Sequence, residues 1–243
     1  MSSGRSVDLN SDVGEGYGVW PGGPDDQLIG RLTSVNVACG YHAGDPVTMQ
    51  RTCELAVQAG CAIGAQVSYP DLLGFGRRFM DMQPHELAAA VVYQLGALEG
   101  FAGLAGTRVR YVKPHGALYN AIVSHEAQAS AVAGAVCAYD PSLPILGLPG
   151  SCVERECRRV GMRFVAEGFA DRRYTADGQL APRTEAGALV TEPAAAAAQA
   201  RRLAAAGVHS ICVHSDTPGA PAILAAVADA LAADGYELRP FVQ

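Results

Sequence analysis

The sequence predicts an α/β protein built as one (β/α) barrel of about seven parallel strands, with residues 1–243 forming a single domain. Three observations carry that reading. Short apolar runs containing β-branched residues alternate with longer runs at helical spacing, with a repeat of about thirty residues, the rhythm of strand–crossover–strand units. Ionisable and amide residues gather where the apolar runs end, which is the mouth of a barrel or the crevice of an open parallel sheet. No internal stretch has the composition of a linker, and 243 residues can build one barrel-sized core. A doubly wound open sheet is the alternative arrangement of the same units.

Taken in order, residues 6–12 alternate apolar and polar as strand 1, which ends in Asn10, Asp12 and Glu15 and breaks into a glycine-rich loop, residues 14–18. That loop lacks the rest of a nucleotide-binding glycine pattern, and no P-loop lysine follows it. A short helix at 25–31 precedes strand 2, whose apolar run closes at Cys39. Gly40 then frees the backbone and releases Asn36, His42 and Asp45 as a polar cluster, with Pro46 suited to a helix start. The helix at 48–59 stops at Gly60. Strand 3 at 62–66 ends in Gln66 and is followed by Asp71 and by Arg77 and Arg78, which lie behind glycines. The helix at 84–105 leads to strand 4 at 109–116, which ends in Lys113 and His115. A helix at 126–139, strand 5 at 144–151 running into a helix capped by Ser151, and strand 6 at 163–167 follow. Then come Asp171 and Arg172, a polar, turn-rich excursion at 174–186 and an alanine-rich helix at 193–206. Strand 7 at 210–216 ends in His214 and Asp216, and the last helix at 218–233 leaves room for a short final strand within 236–241.

Composition narrows the function. With 49% apolar and 17% charged residues the chain is globular, and a net charge of −6 without a basic stripe predicts no nucleic-acid partner. No apolar run is read as membrane-spanning, and residues 1–6 have no apolar signal region, so a cytoplasmic protein with no membrane partner is expected. Seven cysteines, an odd number without a C-x-x-C pair, are expected to be buried reduced thiols. Seventeen residues are arginine and one is lysine, and that lysine, Lys113, stands at a strand end.

The strand-end residues define a candidate active site. Asp12, His42, Asp45, Lys113, His115, His214 and Asp216 are the candidate catalytic groups, because carboxylates and imidazoles can activate water and protonate a leaving nitrogen or oxygen. Asn10, Glu15, Asn36, Gln66, Arg77, Arg78, Asp171 and Arg172 are the candidate substrate-binding groups, the arginines suiting an anion. Asp12, His42 and His214 are of types that bind zinc or manganese, yet no tight metal motif is present and no metal ligand is assigned. No G-x-S-x-G elbow marks a serine hydrolase.

Several of these motifs are long: residues 8–15, 36–45, 68–78, 112–119, 169–172 and 213–219 together resemble the LamB/YcsF family, with the likeness running from about Val7 to the last helix. The resemblance implies a barrel related to the glycoside hydrolase/deacetylase superfamily. It also implies opening of the 5-oxoproline lactam to L-glutamate, coupled to ATP hydrolysis, together with 5-oxoprolinase subunits B and C. This chain has no nucleotide motif, so the ATP site is expected on the partners. The sequence departs from the family pattern in three places. Gln66 stands where the family usually has histidine, Ser215 where it usually has glycine, and residues 207–209 replace an often longer connection. Gln66 can hydrogen-bond but cannot shuttle a proton and is a poor metal ligand. A metal-dependent deacetylase-like hydrolase of a carbohydrate or N-acyl compound, and a non-catalytic binding subunit, are the alternatives.

Overall fold

The computed structural model describes residues 5–242; the first four residues, part of the stretch read above as lacking a signal region, and Gln243 lie outside it. Seven parallel strands follow one another around a closed barrel: β1 (Ser6–Val13), β2 (Ser34–Ala38), β3 (Ala62–Gln66), β4 (Val109–Val112), β5 (Ile145–Gly147), β6 (Phe164–Phe169) and β7 (Ser210–Cys212). Closure is made by β1, which pairs with β2 (Asp12 opposite Asn36) and with β7 (Asn10 opposite Cys212). The open-sheet alternative is therefore excluded. A two-residue β8 (Glu237–Leu238) adds to the start of β1, at the end opposite the mouth.

The covering helices are α1 (Asp25–Leu28, extended by a 3-10 turn at Ile29–Arg31), α2 (Pro46–Ala59), α3 (Pro84–Leu104), α4 (Gly116–Ser124), α5 (Glu126–Tyr139), α6 (Cys152–Arg159), α7 (Pro193–Ala205) and α8 (Ala220–Ala233). Their punctuation is local chemistry. Asp45 caps α2 by accepting from the amides of Val47 and Thr48, Pro46 takes its first turn, and Gly60 ends it at φ 75°. Ser151 caps α6 as expected, and His125 caps α5 through Nδ1. Helix α4 was not expected. It starts at Gly116 with φ +59° and has no side-chain cap, so the sequence carries no start signal for it.

Helix α3 corrects a second expectation. Its 21 residues are long and apolar enough to cross a membrane by length and composition. The fold uses it as a cover: Leu87, Val91, Leu95, Leu98 and Ala102 are fully buried in the core.

Alternation along the strands separates two environments. Val7, Leu9, Val35, Val37, Ile63 and Ala65 join the apolar core beneath the helices. The intervening Asp8, Asn10, Asp12, Ser34 and Asn36 are also buried, but they hydrogen-bond across the barrel. The lumen is therefore polar. At its lower end Asp8 accepts from Ser34, Thr33 and Ser210. Burial pushes the Asp8 carboxyl up to about 6, against the lowering effect of those hydroxyls. Tyr111, Leu146 and Val165 form a small apolar layer that Phe241 closes from below, its ring 4.9 Å from that of Tyr111. Gly64 makes room for that layer, because a Cβ there would stand 2.2 Å from the Tyr111 ring.

Candidate active site

The strands end early and leave the functional groups on the first residues beyond them: Lys113 and His115 after β4, His214 and Asp216 after β7. Lys113 rises through the top of the lumen, with Nζ 3.0 Å from Asp12 Oδ1, 2.9 Å from Glu167 Oε1 and 3.3 Å from Asn10 Oδ1. Around it, Asn36 donates to Asn10 (2.8 Å) and to Asp12 (3.0 Å), Tyr111 donates to Asn36 (2.7 Å), and Tyr119 donates to Glu167 (2.9 Å). Burial opposes charge on Lys113, but Asp12, then Cys212 and Glu167, raise its affinity for the proton well above the ordinary lysine range. Burial likewise opposes ionisation of Asp12, and Lys113 above all overcomes it, holding that carboxyl far below the usual range. The result is a buried ammonium–carboxylate pair in which Asp12 Oδ1 takes both Lys113 and the Asn36 amide.

A second cluster lies beside Asp12. The rings of His42 and His115 stack with centroids 4.0 Å apart. Gln66 ties them together: its Oε1 lies 3.2 Å from His42 Nε2, and its Nε2 lies 2.9 Å from Glu15 Oε1 and 2.8 Å from His115 Nδ1. The carboxylate of Glu15 requires a donor, which fixes the amide orientation, and the amide in turn fixes both tautomers. His42 presents Nε2–H to Gln66, while His115 accepts at Nδ1 and donates from Nε2 to the Phe75 carbonyl (3.0 Å). Burial, with His42 next to it, lowers the His115 imidazole well below its ordinary range and keeps it neutral. Glu15, His42 and His115 offer ligand atoms within 4.8 Å of one another, close enough to share a metal ion. The amide nitrogen of Gln66 already donates to two of those atoms. The residues therefore do not fit a resident metal unless that amide is displaced.

The third cluster is a dyad. His214 Nδ1 is 3.0 Å from Asp171 Oδ1, and Asp171 also accepts from the His214 amide (3.1 Å) and the Thr217 hydroxyl. Burial disfavours the Asp171 carboxylate, yet His214 and these bonds lower it below the usual range. The Phe169 ring stacks on the imidazole at 5.1 Å. Nε2 of His214 is left facing away from its carboxylate partner, with no hydrogen-bond partner among the described residues.

Several expected roles change once the side chains are placed. Asp45 spends its carboxylate on the α2 cap and on the Gly18 amide (2.9 Å). Arg78 grips Asp71, and Asp71 also organises the amides of Gly74 and Arg78, so this pair shapes its own loop. Asn10 and Asn36 are fully buried below Asp12 and support it from underneath. Asp171 orients His214. Asp216 is bound by Arg77 (2.5 Å) and by Arg183 (3.0 Å). Arg183 lacks any signal in the sequence because it lies in the excursion, where no periodicity assigns a face; Tyr111 and Tyr119 read only as apolar periodicity. All seven cysteines are free, and six are buried.

This geometry defines a class: a closed seven-stranded parallel (β/α) barrel with a polar lumen and a cluster of acid–base groups at its mouth. The LamB/YcsF family model matches residues 7–243, and the chain belongs to that family. It is 52% identical to the 5-oxoprolinase A-subunit of Mycobacterium avium (strain 104), over 97% of this chain and 98% of that protein. It superposes on the crystal structure of the lactam utilization protein from Thermus thermophilus with a TM-score of 0.92 and 41% identity, covering 97% of this chain and all of that one. The catalytic domain of peptidoglycan N-acetylglucosamine deacetylase from Eubacterium rectale superposes with a TM-score of 0.57 at 9% identity, over 100% of this chain and 91% of that one, a likeness of fold alone.

Proposed function

We propose that this chain is the lactam-opening subunit of an ATP-dependent 5-oxoprolinase, acting in the cytoplasm with subunits B and C to convert 5-oxo-L-proline to L-glutamate. The observation that carries the reading is the Asp171–His214 dyad, set beside an ionised Asp12 in a chain 52% identical to a protein of that name. In this reading His214 Nε2 takes a proton from the water that attacks the ring carbonyl carbon, and Asp171 stabilises the imidazolium. The same nitrogen then returns the proton to the ring nitrogen as the carbon–nitrogen bond breaks. Lys113 is a charged, buried cation and so acts on Asp12 and not as a Schiff-base nucleophile. Asp12 is ion-paired with Lys113 and so is not the free base; it acts on His214 electrostatically. His115, with both ring nitrogens engaged, positions its neighbours. ATP is consumed on the partner subunits, which transfer its terminal phosphoryl group to the ring carbonyl oxygen and release ADP; inorganic phosphate leaves as the new carboxylate of glutamate forms. The metal-dependent deacetylase alternative would require a cation where the Gln66 amide now donates. The test is glutamate formation from 5-oxoproline with subunits B and C, each omitted in turn, and with His214→Asn. Glutamate formation that needs all three chains and falls at least about 10²-fold in the variant is expected, in line with loss of one general acid–base group. Unchanged turnover by the variant complex would sink the assignment.

A further inference from the structure

Three guanidinium groups meet at one side of the mouth: Arg77 from the loop after β3, Arg172 from the loop after β6, and Arg183 from the excursion that follows it. Among the described residues, Asp216 is the one carboxylate that accepts side-chain hydrogen bonds from this group. Its carboxylate accepts from Arg77 at 2.5 Å and from Arg183 at 3.0 and 3.2 Å, while Asp171, the other acid nearby, is committed to His214 and Thr217. Arg172 is 7% exposed, with one Nη on the Ala181 carbonyl (2.6 Å) and its Nε buried without a partner. A buried guanidinium with an unmet donor is costly, and a protein normally satisfies such a group. Burial, then the like charges of Arg183 and Arg77, lower the proton affinity of Arg172, and Asp171 and Asp216 offset this only in part.

We propose that Arg77, Arg172 and Arg183 form the receptor for the carboxylate of the substrate, with Asp216 as the resident counter-ion that gives way when that carboxylate arrives. The inference rests on the lactam reading and deepens it. Arg172 directly follows Asp171 in the chain, and Asp216 is two residues from His214, so these two members of the receptor stand on the same two loops as the dyad, and Arg77 reaches them from the loop after β3. In 5-oxoproline the carbon bearing the carboxylate is bonded to the ring nitrogen. Anchoring that carboxylate on the arginines therefore presents the leaving nitrogen to His214. Arg183 makes the excursion part of the specificity apparatus: the carbonyl of Ala181, two residues earlier, accepts from Arg172, so the excursion and the receptor are fastened together.

The experiment uses the assembled complex with Arg183→Met, Arg183→Lys and Asp216→Asn, and two substrates: 5-oxo-L-proline and 2-pyrrolidinone, the same lactam without the carboxylate. Arg183→Met is expected to raise KM for 5-oxoproline about tenfold or more, the effect of losing one charge-assisted hydrogen bond, and to cost a smaller factor on 2-pyrrolidinone, which has no carboxylate to lose. Arg183→Lys should recover part of the loss, and Asp216→Asn should lower KM by removing the competing anion. An unchanged KM in Arg183→Met, an equal loss on both lactams, or a rise in KM in Asp216→Asn would each overturn the receptor. If the unaltered complex fails to turn over 5-oxoproline, the lactam reading falls. The receptor is then judged by calorimetric titration of the isolated chain with 5-oxoproline and with 2-pyrrolidinone. Carboxylate-dependent binding lost in Arg183→Met supports it, and its absence overturns it.

Discussion

At the scale of single residues, the informative position is Gln66. Its amide nitrogen donates to Glu15 and His115, as a bound cation would draw on the same two lone pairs, and its oxygen holds His42 in the tautomer that offers a proton and not a lone pair. Replacing it by a ligand should therefore create a metal site. Gln66→His is expected to bind Co2+ with the visible absorption of a nitrogen- and oxygen-ligated ion, while the unaltered chain shows no such band at equal concentration. Equal absorption by both proteins would mean that the amide does not hold that place. The departure at Gln66 was readable in the sequence, but its consequence was not, because the three partners come from the ends of β1, β2 and β4, up to 100 residues apart in the chain.

At the scale of elements, two changes separate structural from chemical roles. Asp45 has the type and position of a catalytic carboxylate, yet it is the N-cap of α2 and the acceptor for Gly18. Asp45→Ala should cost about 0.5–2 kcal/mol of stability, measured by denaturant unfolding, and leave kcat close to that of the unaltered complex. A loss of turnover far beyond the loss of folded protein would return Asp45 to the catalytic group. Gly64 in β3 is the second case. A methyl group there meets the Tyr111 ring, whose hydroxyl holds Asn36 under Asp12. Gly64→Ala is expected to destabilise the protein by about 1–3 kcal/mol and to lower activity through that support. A neutral change in both would show that the strand yields where the structure says it is tight. Both effects depend on what faces the residue from another element.

At the scale of the whole molecule, the polar lumen gives stability a distinctive pH dependence. The Asp8 carboxyl, raised to about 6 by burial, releases its proton less readily in the folded chain than in the unfolded one. The stabilisation that follows is fully present below the unfolded value of about 4 and is lost as pH rises through about 6. Asp171 and Asp216, both lowered, contribute in the opposite sense: their stabilisation is present above the unfolded range and is lost as pH falls through their folded values. Thermal unfolding of Asp8→Asn beside the unaltered chain should show the variant gaining relative stability between about pH 4 and pH 6, by up to about 3 kcal/mol. Parallel pH profiles would contradict a buried, proton-holding Asp8.

The period of strands and helices, the glycine and proline punctuation and the polar groups at strand ends determined the barrel class and nearly all of its elements. These are local signals, written within a few residues of where they act. The same signals located Asp12, His42, Lys113, His115 and His214 at one mouth. Tertiary structure alone decided which neighbour each of them serves. It bound Asp171 to His214, set Lys113 between Asp12 and Glu167, turned Asp45 into a cap, and brought Arg183 from a segment without periodicity to Asp216. The physical reason is that hydrogen bonds and ion pairs act over a few ångströms between groups from different strands. Closing the barrel sets those distances, whereas the order of residues along the chain does not.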